Sequence, residues 1–211
     1  MRNIGKSDVA AADRLIADEL RDALRDCTIG REIIVVEAAT STNDSVLQRA
    51  TPTAPEGLVV FAERQTAGRG QRHNRWESTA YKGLWFSILL RPKIDIDQSA
   101  QLTAWAAWTI AQTITDQFAM RAATKPPNDV YVEEKKVAGV LAEMRAQENA
   151  PYLAIVGIGV NINHSAEDFP GELRSRAISL AMVLHRHVDR HGFAVALLRN
   201  LDRTYRETFT S

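Results

Sequence analysis

Gln65-Thr66-Ala67-Gly68-Arg69-Gly70-Gln71-Arg72-His73-Asn74-Arg75-Trp76 stands between two apolar runs, residues 57–62 (GLVVFA) and 83–90 (GLWFSILL). Both runs read as buried strands. The loop between them carries two glycines and three arginines. Glycine lets backbone N–H groups come close to a ligand, and a guanidinium binds carboxylate or phosphate oxygens through two parallel bonds. The loop reads as one that closes over an anion; the alternative is a solvated, Arg-decorated surface connection. Its glycines and like charges give it little reason to fold alone. No Gly-Lys-Ser/Thr follows at the required spacing, so this is not a Walker A loop.

Outward from the loop, the chain of 211 residues suits one sizeable domain. Lys plus Arg and Asp plus Glu both total 26, a formal net charge of zero, which argues against non-specific nucleic-acid binding. Cys27 is the single cysteine, so no internal disulfide can form, as in a reducing cytoplasm. The first residues lack the apolar core of a signal peptide, and no run approaches the ~20 apolar residues of a membrane span. The expectation is a cytoplasmic protein with no membrane and no nucleic-acid partner.

N-terminal to the loop, Ser7 or Asp8 is placed as the cap of a helix running to about Arg25, with Val9, Leu15, Ile16, Leu20 and Leu24 near one face. A strand at 33–36 (IIVV) leads to Thr40-Ser41-Thr42-Asn43-Asp44 and a short helical segment through Leu47. One of Ser41, Thr42 and Asn43 is expected to cap that helix; together they also offer donors and acceptors to a neutral polar ligand. On the other side, residues 97–118 read as a long buried helix whose tryptophans, Trp105 and Trp108, belong to the core. Lys125-Pro126-Pro127-Asn128-Asp129 then forms a strand end or rigid turn that fixes Asn128 and Asp129. A turn at Glu133-Glu134 precedes Lys135-Lys136-Val137-Ala138-Gly139, where small residues after the lysines leave room for something to pack on the strand. Strand 152–162 carries Gly157-Ile158-Gly159-Val160-Asn161 without the third glycine of a dinucleotide fingerprint. Helical segments at 177–184 and 193–209 close an inventory of six or seven strands joined mostly by hairpin-length loops. That pattern gives an α+β fold with one mixed β-sheet and flanking helices.

Four motifs in order, Ser41-Thr42-Asn43, the loop 65–76, residues 125–143 and Gly157 to Asn163, resemble the catalytic domain of biotin protein ligases, the biotin–[acetyl-CoA-carboxylase] ligase family. The resemblance covers roughly residues 31–185. It implies a biotin/lipoate ligase fold akin to class II aminoacyl-tRNA synthetases. It also implies a two-step reaction in which biotin and ATP give biotinyl-5′-adenylate and a lysine of a biotin carboxyl carrier protein takes the biotin. Such chemistry must hold two anions together, biotin's carboxylate and the α-phosphate. Arg69, Arg72 and Lys136 suit that task, with Mg²⁺ on the phosphates. By the resemblance Ser41, Thr42, Asn43 and Gln65 hold the ureido ring, while Arg69, Gly70 and Gln71 line the carboxyl end. Lys136 contacts the carboxylate and then the adenylate, Asn128 and Asp129 serve phosphate or metal, and Gly139, Gly159 and Asn161 shape the nucleotide side. Trp76 packs over the closed loop.

The sequence departs from the family pattern at Gln71, where a second arginine is usual, at His73, where glycine is, and at Pro126, where tryptophan is. Relatives commonly carry a small C-terminal β-barrel; the reading is of one catalytic domain over 1–211 without it, residues 1–30 packing on it as a helix. Residues 1–30 supply about one helix, too little for the winged helix-turn-helix of a repressor. A lipoate or octanoate ligase of the same fold and a non-catalytic biotin or adenylate binder stand as alternatives. The sequence leaves monomer and homodimer open.

Overall fold

The computed structural model describes residues 13–147 and 150–210. Its frame is one seven-stranded mixed sheet in the order β1-β2-β3-β7-β6-β5-β4. The strands are β1 (Ile33–Ala39), β2 (Val59–Gln65), β3 (Gly83–Leu90), β4 (Ala122–Lys125), β5 (Asp129–Val132), β6 (Lys135–Gln147) and β7 (Ala150–Asn161). Among the described strands, only β1 and β2 pair in parallel. Parallel neighbours need a crossover, and the segment between them supplies one containing the short helix α2 (Thr42–Leu47). The other strand-to-strand ladders among the described residues are antiparallel.

β3, apolar except for Ser87, lies beside the central β7, and each of its residues is buried. Successive side chains leave a strand on opposite faces, and the two faces are covered differently. Leu84, Phe86, Ile88 and Leu90 of β3 join Val156, Ile158 and Val160 of β7 in the main core. The long helices α3 (Ser99–Phe118) and α5 (Arg190–Phe209) and the N-terminal α1 (Ala17–Ala23) supply its other wall. On the opposite face a smaller cluster, Val46, Leu58, Val60, Leu89, Leu153 and Ile155, lies under α2 and covers one end of the sheet. The other end of that face holds the site. The short α4 (Leu180–Leu184) completes the fold.

Three expectations change. The N-terminal helix begins at Ala17, after an extended Ile16; Ser7, Asp8 and Val9 lie outside the described residues. Residues 13–15 are drawn off a helical path because Leu15 N donates to the buried Glu63 carboxylate at 3.0 Å and Arg190 donates to Asp13 O at 3.1 Å. Trp105 is in the core, its Nε1 donating to Thr204 Oγ1 at 2.8 Å. Trp108 is 49% exposed, since the helix turns it away from the sheet. Finally, β7 starts at Ala150, and the last helix runs from Arg190 with Asp189 as its cap.

Candidate functional site

The site's floor follows from strand parity. Trp85 and Ser87 of β3, Gly157 and Gly159 of β7 and Gly139 and Leu141 of β6 share the face that α2 leaves open, in a register that pairs Trp85 with Gly159, Ser87 with Gly157 and Gly139 with Gly159. Three glycines on one face, Gly139 paired with Gly159 and Gly157 two residues along the same strand, strip the floor of side chains and leave a pocket of about 430 Å³ counting its open mouth. Two neighbours already use the room. A Cβ on Gly157 would stand 2.2 Å from Asn43 Oδ1, and one on Gly159 would stand 2.5 Å from Trp76 Cε2.

At one end of the pocket α2 presents Ser41, Thr42 and Asn43, all buried. Ser41 occupies the N-cap position, but its side chain makes no cap bond. Gln65 caps instead: its Oε1 accepts from Thr42 N at 2.9 Å. The Ser87 hydroxyl lies 2.7 Å from Thr42 Oγ1 and 2.6 Å from Asn43 Oδ1. One hydroxyl carries one proton, so it donates to the Asn43 carbonyl oxygen, which can only accept, and receives the Thr42 proton in return. Asn43 Nδ2 then donates to Glu143 Oε2 at 2.6 Å. The result is a buried polar chain held in one hydrogen-bonding sense.

The 65–76 loop is folded over this face as a tight hairpin. Gly70 N donates to Asn74 O at 2.7 Å, Trp76 N donates to Gly68 O at 2.9 Å, and Arg69 bridges Arg75. A 3₁₀ turn, Gln71–His73, forms its tip, with Arg72 in left-handed backbone at φ 55°. The hairpin carries the Trp76 indole onto Gly139 and Gly159 and edge-on to Trp85 at 6.0 Å between centroids. Trp76 Nε1 is buried there without a hydrogen-bond partner among the described residues. Arg69 grips Asp44 through two bonds of 2.7 and 2.8 Å and reaches Glu143 at 3.5 Å. Its guanidinium is held more firmly protonated than usual, first by the Asp44 hydrogen bond.

Lys136 defines the other end. Residues 135, 137 and 139 of a regular strand would share a face, but a register shift in the β5–β6 ladder inserts one extra residue on β6. The bulge sends Val137 into the main core and turns Lys136 to the pocket side. The ammonium lies 2.7 Å from Asp129 Oδ1 and 5.2 Å above the Trp76 ring. Its backbone is pinned as well: Lys136 N donates to Arg176 O and Ile178 N to Lys136 O. Asn161 Nδ2 in turn donates to Ile178 O at 3.1 Å. Asn128 locks the hairpin turn, its Nδ2 donating to Val140 O at 3.0 Å.

Of the residues singled out in the sequence, Ser41, Thr42, Asn43, Gln65, Arg69, Gly70, Trp76, Asn128, Lys136, Gly139 and Gly159 line the pocket together. Gln71 and Arg72 do not; they sit on the outer tip of the hairpin, and Arg72 is exposed. Asn161 is a buried brace for the segment that pairs with Lys136, not part of the wall. Asp129 faces the Lys136 ammonium, and among the described residues no three His, Cys, Asp or Glu side chains converge as a metal cage. The sequence reading gave no site role to Ser87, Asp44 or Glu143, and it flagged Gly157 only within the paired glycines of its strand. A lone hydroxyl in the apolar run 83–90, and an acid in phase with Gly139 in the otherwise apolar stretch 137–144, are the signals that could have found two of them.

Comparison with known proteins places the fold in a family. The family model described as "Biotin/lipoate A/B protein ligase family" matches residues 35–161. The "Bifunctional ligase/repressor BirA" of Bacillus spizizenii is 36% identical over 197 residues, covering 93% of this chain and 61% of that protein. The chain therefore spans somewhat less than two thirds of that relative's length. The biotin–[acetyl-CoA-carboxylase] ligase of Mycobacterium tuberculosis is 32% identical over 203 residues, covering 90% and 72%. Among solved structures, biotin protein ligase from Aquifex aeolicus in complex with biotin and ATP superposes with a TM-score of 0.71 at 30% identity, covering 83% of this chain and 71% of that one. With its seven-stranded mixed sheet and flanking helices, the chain belongs to the biotin/lipoate A/B protein ligase family.

Proposed function

We propose that residues 13–210 form a single catalytic domain of a biotin protein ligase. In the first step a carboxylate oxygen of biotin attacks the α-phosphorus of ATP, giving biotinyl-5′-adenylate and pyrophosphate. In the second, a lysine amine of a biotin carboxyl carrier protein attacks the acyl carbon, forming an amide and releasing AMP. The observation that carries the reading is the pocket's polarity. A cluster of paired hydroxyl and amide groups stands at one end, an ammonium at the other, and a glycine floor between them. The first end offers donors and acceptors for a neutral ureido ring. Its richness in polar groups favours biotin over a lipoyl or octanoyl chain, which has no partner for them.

Biotin's carboxylate is ionised near neutral pH, so the first step needs no general base. It needs the two anions brought into line and their repulsion offset. Lys136 is placed for this at the pocket's far end, and its contact with Asp129 keeps it oriented. Mg²⁺ would come with the ATP phosphates and supply further positive charge, with Asp129, which stands beside Lys136, as the carboxylate to hold it. Trp76, seated over Gly139 and Gly159, closes the nucleotide side. The experiment is a titration with biotin, lipoate and octanoate, each followed by pyrophosphate release with ATP. Biotin-dependent release alone supports the reading; release with lipoate or octanoate and none with biotin overturns it.

A further inference from the structure

Asn43 is buried in α2, and the two ends of its amide meet different chemistry. Nδ2 lies 2.6 Å from Glu143 Oε2 and 3.5 Å from Leu141 O, an ionised carboxylate and a carbonyl that only accept. The amide oxygen is thereby turned to the Ser87 hydroxyl at 2.6 Å, in the room that Gly157 leaves. Ser87 must donate to it, so the Ser87 oxygen takes the Thr42 proton across 2.7 Å. The competing acceptor for that proton, Gln65 Oε1, is farther away at 3.3 Å and already holds the Thr42 N–H. Two groups of the pocket lining are then left with fixed characters: Thr42 Oγ1 offers lone pairs and Gln65 Nε2 offers protons.

We propose that Glu143 is a positioning residue: its carboxylate sets the proton sense of the Asn43–Ser87–Thr42 chain and so makes Thr42 Oγ1 an acceptor for a ligand N–H. It acts from β6, two residues beyond the pocket-lining Leu141. To reverse the chain, the Asn43 amide would have to turn over and set its oxygen against the carboxylate. Two buried acceptors in contact cost more than the new bonds return. The ring end of the pocket is thus matched to a group carrying N–H beside C=O, the N–H meeting Thr42 and the carbonyl meeting Gln65. That this group is a ureido ring rests on the ligase reading; the proton sense does not.

The test is calorimetric titration with biotin and with its cyclic-carbonate analogue, in which oxygen replaces both ring N–H groups. Glu143→Gln should weaken biotin about tenfold or more, because a neutral amide at that position lets the Asn43 amide take either orientation. The carbonate has no N–H for Thr42, so its weaker affinity should change less than about twofold. A loss shared equally by the two ligands would make Glu143 a structural support only and overturn the proposal. Asn43→Asp combined with Glu143→Gln moves the carboxylate one link along, where it again takes the Ser87 proton. This pair should return biotin to within about threefold of wild-type affinity. It restores nothing of the 3.5 Å contact between Glu143 and Arg69, so an absence of recovery would assign the effect to that ion pair and overturn the proposal. In the ligand-free protein, NMR should show one Asn43 side-chain amide proton shifted downfield by the carboxylate, and Glu143→Gln should abolish the shift. An unshifted wild-type amide overturns the proton sense. A shifted amide in a protein that binds no biotin supports it and counts against the ligase reading alone.

Discussion

Gly159→Ala should disturb the site through a single neighbour. The added Cβ would stand 2.5 Å from Trp76 Cε2, 2.6 Å from Cζ2 and 2.7 Å from Nε1, so an entire edge of the indole must retreat by roughly 1 Å to reach ordinary contact. The ring cannot slide sideways freely, because Trp85 stands edge-on at 6.0 Å. Overpacking of this kind costs about 1–3 kcal/mol. Gly139→Ala makes a control of graded size: its Cβ would meet Trp76 Cζ3 at 2.9 Å and then only the flexible end of Lys136. Urea denaturation should therefore rank Gly159→Ala as the more harmful, and tryptophan emission should shift to the red as the indole leaves its seat. In a Trp76→Ala background the same Gly159→Ala change should cost nothing or stabilise slightly, since alanine narrows the unfolded ensemble. The cycle thus predicts a coupling of about 1 kcal/mol or more. An identical penalty for Gly159→Ala in both backgrounds would show that the glycine serves the strand and not the indole.

Lys136→Met should lower adenylate formation by about 10²–10³-fold, the range for losing one group that stabilises developing charge. The denaturation midpoint should barely move, and wild-type pyrophosphate release would refute the role. Glu63→Gln leaves the Arg190 guanidinium, wholly buried and 2.6 Å from that carboxylate, without a counter-charge. It should cost about 3–5 kcal/mol, a fall in Tm on the order of 10 °C, whereas Glu63→Leu with Arg190→Met should cost less than either single change. His164, buried against Phe169 and Trp85, has its pKa lowered to about 4 by desolvation. The unfolded chain takes up that proton near pH 6.5 and the folded one only near 4, so stability falls as pH drops through this window, by about 3 kcal/mol in all. His164→Phe should flatten the fall, and an unchanged pH profile of the denaturation midpoint would exclude the histidine as its source.

The parts of the site that were legible in the sequence are those with a local signature. Apolar runs marked β2, β3 and β7, and glycines inside buried strands marked a floor kept clear. The hydroxyl and amide triplet before a short helix marked the polar end. What stayed hidden depends on partners remote in the chain. Nothing near Arg69 shows that its guanidinium lies on Asp44, 25 positions earlier, and reaches Glu143, 74 positions later. Ser41 reads as a cap from its position, but Gln65, which arrives from another strand, takes the Thr42 N–H and leaves the Ser41 hydroxyl out of the cap. Helix periodicity likewise buries Trp108 only if the whole helix is enclosed, and one side of α3 is open to solvent.

Lys135 and Lys136 show how narrow the margin is between surface decoration and chemistry. Two adjacent lysines after a Glu-Glu turn look alike in the sequence, and strict alternation from Gly139 would assign residues 137 and 135 to the pocket face. That register would put the apolar Val137 into the pocket and Lys136 into the main core, where a charge without a partner is prohibitively costly. The bulge resolves both conflicts with one extra residue: Val137 becomes fully buried in the core, and Lys136 reaches Asp129 on the site face. A charged residue beside a small β-branched one, just after a turn, is therefore a place to expect a register break. Here the break converts a hairpin tip into the cationic end of the pocket. The Asn161 and Ile178 contacts then hold that conversion in place from the neighbouring segment.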